Sequence, residues 1–230
     1  MDSFDVSKII PPGDYVQYIY EAVSLPVSTY YMMASVANTL IGALECVVIR
    51  NTRFISSTTA ITYMVGFIVA LNQVLLSGYA EPQEIAILYV YTAICFAHFA
   101  YLLVCTIFTR DSYTLLLAHV VVLFYILYMY AINGTKCRSF AHVEFLTNLQ
   151  FCAITVQNII PLEAIIASLC RNSKRTPSHW LALYIGLTYC LTGGLYRHQM
   201  GQSLMASADA LGISVHLFGL VVALYHNLWF

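Results

Sequence analysis

Apolar positions run along this chain in seven long stretches separated by short polar breaks. They predict helices at about 28–49, 57–79, 84–108, 112–132, 144–170, 179–196 and 203–229. Most of the stretches approach the roughly 20 residues that a helix needs to cross the hydrocarbon core of a bilayer. The period-two alternation of a lipid-facing barrel is absent, and helices satisfy their own backbone polar groups in lipid. Connections such as Thr109-Arg110-Asp111-Ser112 are long enough only to join antiparallel neighbours. The pattern therefore predicts an all-α polytopic membrane protein, a single seven-helix bundle over residues 28–230, with no internal repeat evident in the order of residues. Residues 1–27 are mixed and acidic, with Pro11, Pro12 and Pro26, and do not read as a cleavable signal. Tyr15, Tyr18 and Tyr20 favour the headgroup zone, so this part is expected to be an interfacial segment or short helix.

Composition strengthens the membrane assignment: 60% of the residues are hydrophobic and 9% charged, far too few charges to cover a soluble domain. A net charge of −1 supplies no basic field for nucleic acid. The expected partners are the lipid bilayer and either other membrane subunits or further copies of the chain. Cys46, Cys95, Cys105, Cys137, Cys152, Cys170 and Cys190 show neither CxxC nor Cys/His metal spacing, and no disulfide framework is implied. Arg50, Arg53, Arg110, Arg171, Lys174 and Arg175 fall on one side of the predicted bundle, against Lys8, Lys136, Arg138 and Arg197 on the other. That bias places the N-terminus outside and the C-terminus inside. Asn133-Gly134-Thr135 is a glycosylation sequon on the outer side, so close to the membrane that it is expected to stay unmodified.

Polar residues inside the spans are the informative minority, because a charge at the bilayer centre costs about 2.5–3.5 kcal/mol or more. In the last span Asp209, Gly212, His216 and Gly219 recur at helical spacing and share a face. The two glycines would let a neighbouring helix approach, while Asp209 and His216 would line an ion path or ligand pocket. A plain packing seam is the other reading. The third span carries His98 beside Tyr91, Cys95 and Cys105, and the fourth carries His119. His98 and His119 form the one obvious pair for a haem, but nothing in their spacing specifies one, and hydrogen-bonded core histidines are expected. Glu45 stands near Arg50, and the fifth span is the most polar, with Asn148, Gln150, Gln157, Asn158 and Glu163 around Pro161. These side chains are expected to act mainly as glue between helices. The resulting candidate path comprises Glu45, His98, His119, Glu163, Asp209 and His216. No nucleophile triad, metal motif or phosphate loop appears, so an enzyme is not expected, and neither is a metal or other cofactor.

The layout resembles that of the microbial (type-1) rhodopsins. The likeness rests on the turn Arg110-Asp111-Ser112-Tyr113-Thr114-Leu115, on the first connection Arg50-Asn51-Thr52-Arg53, and on Asp209 followed by Phe218-Gly219-Leu220. That family binds retinal through a lysine four residues after the aspartate, and here the position is Ile213. Lys8, Lys136 and Lys174 are all outside the spans, so covalent retinal is excluded. The resemblance implies a retinal-free, rhodopsin-like protein acting as an ion or proton channel, a carrier or a receptor-type partner. The alternative is a non-catalytic membrane subunit of a larger, energy-transducing complex.

Overall fold

A computed structural model describes residues 14–53, 57–77, 85–109, 113–134, 140–171 and 177–229. They form eight helices: α1 (Asp14–Thr52), α2 (Ser57–Ser77), α3 (Ile85–Phe108), α4 (Tyr113–Gly134), α5 (Phe140–Ile159), α6 (Pro161–Arg171), α7 (Pro177–Gln199) and α8 (Ser203–Trp229). Among the described residues six spans are long and apolar enough to cross a membrane, and one of them, Val143–Ala167, runs through both α5 and α6. Side chains such as Tyr89, Phe96, Ile107 and Phe124 are exposed on the bundle's exterior, as they should be where lipid is the solvent. The protein is an integral membrane protein built as an all-α bundle.

The expected fifth helix is divided at Ile160 because Pro161 has no N–H to donate to the carbonyl of Gln157. Proline instead occupies the first position of α6, where a missing N–H costs nothing. Helix α1 contains 39 residues, about 58 Å at 1.5 Å per residue, so it is longer than a bilayer is thick. The tyrosine-rich stretch from Tyr15 to Glu21 forms part of its first turns.

The packing reveals an order that the sequence does not display. Helix α3 packs against both α1 and α2, and α8 packs in the same way against both α5 and α7. The two resulting three-helix units meet along two seams, α1 on α7 and α2 on α5. Exchanging the units maps one seam onto the other. Helix α4 lies outside this arrangement, mainly against α2, and connects the two units. The packing is that of a three-helix repeat, where the sequence suggests none.

Aromatic and aliphatic side chains fill the space within and between the units. One cluster joins Tyr31, Tyr91, Tyr189 and Tyr196 at the end of the bundle where α7 passes into α8. Another packs Tyr63, Phe67, Leu102 and Leu115 among α2, α3 and α4. A third, with Val65, Ile154 and Met205, seals the α2–α5 seam against α8.

Candidate functional site

Between the two units lies a partly open cavity of about 430 Å³, within the range of small-molecule sites. It extends from the middle of the bundle, at His98, Asn158 and His216, to the helix ends at Glu45, Thr58 and Glu163. With α6 counted together with α5, whose span it continues, each unit contributes one carboxylate and one imidazole. Glu45 on α1 accepts a 2.8 Å hydrogen bond from the Tyr63 hydroxyl. Glu163, in the first turn of α6, accepts one from Thr58 at the start of α2, a bond that crosses from one unit to the other.

The two histidines are seated alike. A Cβ built at Gly66 on α2 would strike the ring of His98, and one at Gly186 on α7 would strike the ring of His216. Each imidazole thus lies flush on a neighbouring helix because that helix carries glycine at the contact. His216 Nδ1 lies 2.8 Å from the Gly212 carbonyl and must donate to it. His98 is 9% exposed, its Nδ1 has no hydrogen-bond partner, and its ring rests between those of Tyr63 and Tyr101.

At the other end the bundle is shut by a buried polar plug. Arg197, in the last turn of α7, is 1% exposed and forms an ion pair with fully buried Asp209 on α8. Its second amine donates at 2.7 Å to the Tyr31 hydroxyl, and the guanidinium carbon lies 5.3 Å from the centre of the Tyr31 ring. The Tyr91 hydroxyl bonds that of Tyr31 and lies 3.1 Å from Ser35 Oγ. Tyr189 and Tyr196 stack on Tyr31, with ring centres 5.9 and 5.0 Å away. Charges this deeply buried persist only when paired and hydrogen-bonded. A tight turn holds the pair in place: Gly201 adopts φ 72°, and the Gln202 amide bonds the Arg197 carbonyl at 2.8 Å. That left-handed C-cap, cheap only for glycine, brings the end of α7 directly beside the start of α8.

The structure brings four of the candidate residues, Glu45, His98, Glu163 and His216, to the wall of one cavity. Asp209 shares a helix face with His216 but belongs to the plug. His119 lies apart on α4, with Nδ1 2.7 Å from its own Leu115 carbonyl. Gly212 abuts Cys190 and Asn158, and Gly219 abuts Leu183 and Ile165, both at distances that leave no room for a Cβ. Ile213 packs half-buried against the tyrosine cluster.

Sequence reasoning missed Arg197, which it counted among the charges of the outer side. The residue is buried, so the basic residues there reduce to Lys8, Lys136 and Arg138, which lie outside the described residues, and the charge bias grows steeper. A signal was available: Arg197 and Asp209 are the opposite charges nearest the ends of two long helices joined by a glycine turn. Tyr31 and Tyr63 gave no such signal, because tyrosine is common in this chain and is expected at membrane interfaces, and Tyr91 stood out only as a neighbour of His98.

No family model matches the sequence, and no curated protein matches it significantly. The fold is similar to that of a eukaryotic SWEET transporter whose structure was solved at 3.7 Å resolution. The TM-score is 0.74 at 10% identity, and the match covers 91% of this chain and 99% of that one. This likeness corrects the rhodopsin resemblance. Long apolar helices, short turns and an aspartate in the last helix are compatible with many bundles; what separates them is the order of packing. Here that order is two three-helix units joined by α4. The aspartate that carried the rhodopsin comparison is the partner of Arg197.

Proposed function

We propose that the protein is a carrier that moves a small polar solute across its membrane by alternating access. The observation that carries this reading is a polar cavity on the axis between two like units, blocked at one end and reaching the helix ends at the other. The fold shared with a SWEET transporter supports it. By the charge bias, the blocked end faces outside, so the described state faces inward. Outward opening would rock the units about the α1–α7 and α2–α5 seams, a rigid-body change available to repeat-built carriers. It would separate Arg197 and Asp209 from Tyr31 and Tyr91, whose helices lie in the opposite unit. Closing the inner end would narrow its mouth around the Thr58–Glu163 contact, which already joins the two units there.

Side-specific labelling tests this without knowledge of the solute. In a cysteine-free background, His98→Cys should react with a membrane-impermeant maleimide from the side of the α1–α2 connection and not from the plugged side. Adding Asp209→Asn should admit the reagent from the plugged side. Equal labelling from both sides before that change, or no response to it, would sink the carrier reading.

A further inference from the structure

The hydrogen-bonding chemistry of the cavity wall narrows the class of solute. Among the described residues that line it there are two carboxylates and no lysine or arginine. The buried arginine, Arg197, is committed to the plug. Each carboxylate has one oxygen engaged, Glu45 Oε2 by Tyr63 and Glu163 Oε2 by Thr58, and each has a second oxygen for which no bond is defined. A wall of this charge would repel an anion and would leave a neutral occupant facing uncompensated carboxylates.

The neutral groups point the same way because their hydrogens are already used. Thr39 donates to the Ser35 carbonyl, Thr62 to the Thr58 carbonyl and Thr58 to Glu163, so these hydroxyls turn lone pairs toward the cavity. The Tyr63 hydroxyl is likewise spent on Glu45. His216 gives its Nδ1 hydrogen to the Gly212 carbonyl, which makes Nε2 of the neutral ring an acceptor that lies against Gly186. Two further buried atoms lack any partner, Nδ1 of His98 and the amide oxygen Oε1 of Gln157, but neither has surface open to the cavity. Amides at Asn38 and Gln157 supply donors at the margin. The accessible polar part of the wall is otherwise two carboxylates and hydroxyl lone pairs, set among apolar residues such as Ile41, Ala167 and Leu183, with net negative charge. Its complement is a compact cation rich in N–H groups. The faces of Tyr63 and Tyr189, also in the lining, suit the same charge.

We propose that the cavity between the two units binds an organic ammonium ion, with Glu45 and Glu163 as counter-charges and the hydroxyl oxygens of Thr58 and Thr62 as acceptors of its N–H groups. This rests on the carrier reading and names the chemical class of what is carried. An aliphatic amine bearing several N–H donors fits; a carboxylate-only or uncharged polyol does not.

Counterflow with the full chain in liposomes tests the charge and the donors together. Vesicles preloaded with unlabelled putrescine, glucose or gluconate are given the same compound in labelled form. Putrescine should accumulate at least about tenfold over the other two. The Glu45→Gln/Glu163→Gln variant should lose that preference, while Glu45→Asp/Glu163→Asp, which keeps both charges, should retain it. Accumulation of glucose or gluconate at or above the level of putrescine overturns the proposal, and that comparison needs only the unaltered protein. An unchanged preference in the glutamine variant also overturns it. If no compound accumulates while the labelling test succeeds, the amine assignment falls and the carrier reading stands. If the labelling test fails as well, both fall.

Discussion

The two three-helix units are alike around the cavity and unlike at the plug. Around the cavity each contributes a glutamate, a glycine and a histidine: Glu45, Gly66 and His98 from the first, Glu163, Gly186 and His216 from the second. The glutamate precedes the histidine by 53 residues in both (45 to 98 and 163 to 216). Seven residues before the histidine, however, the first unit has Tyr91 and the second has Asp209. Position matches while chemistry does not. Under the carrier proposal, a site entered from either side is served by walls that look the same from both units. A plug would have different needs, since it must neutralise a buried charge pair and, on opening, release it. One arginine and one aspartate from the same unit, solvated by hydroxyls of the other, accomplish this. A duplicated pair would place like charges together in low dielectric.

The largest test of this asymmetry is Arg197→Ala. It leaves Asp209 buried without its counter-charge and should cost about 3–5 kcal/mol, read as thermal unfolding in lipid nanodiscs. Replacing both charges with leucine should restore most of that loss, since well-packed apolar residues often substitute for a buried pair at little cost. A single variant as stable as the parent would show that the plug does not depend on the ion pair. Next comes Tyr31→Phe, which removes the hydroxyl shared by Arg197 and Tyr91. A hydrogen bond to a charged group is worth about 1.5–3 kcal/mol, and the same unfolding assay should register it.

The matched glycines probe the symmetry directly. Gly66→Ala and Gly186→Ala each force a ring to move, and overpacking of this kind costs about 1–3 kcal/mol. The two should fall within a similar range, with both imidazoles displaced toward the cavity; a neutral result at one position would break the likeness between the units. The smallest effect is expected for Ser35→Ala, which removes a hydroxyl that donates to the Tyr31 carbonyl and contacts Tyr91, neutral hydrogen bonding worth about 0.5–1.5 kcal/mol per bond.

Much of the bundle was legible from hydropathy alone, because lipid forces long apolar helices and Pro161 announces a local break. Glu45, His98, Glu163 and His216 stood out for the same reason, as ionisable groups where ionisable groups are costly. The repeat was not legible. Its trace is three matched positions per unit, scattered across helices whose other residues need only be apolar and so diverge freely. The plug was not legible either. Its hydroxyls come from tyrosines indistinguishable in sequence from interfacial ones, and Arg197 lies close enough to a helix end to pass for a loop charge. The rhodopsin resemblance drew on features that any seven-helix bundle can share, and pairwise packing is what distinguishes such bundles.

The Gly201 turn also bears on how the chain enters its membrane. Helix α7 is long enough to span, yet it is not among the helices apolar enough to do so by composition. Presented alone, it would carry an unpaired guanidinium toward the hydrocarbon. Because the partner carboxylate lies 12 residues further on, just past the turn, α7 and α8 can insert together as a hairpin whose charges are already neutralised. The contact that shuts the finished protein is therefore suited to ease the last step of its biogenesis. A longer loop at 200–202 would be felt first in the yield of inserted protein, before any effect on the stability of the completed bundle.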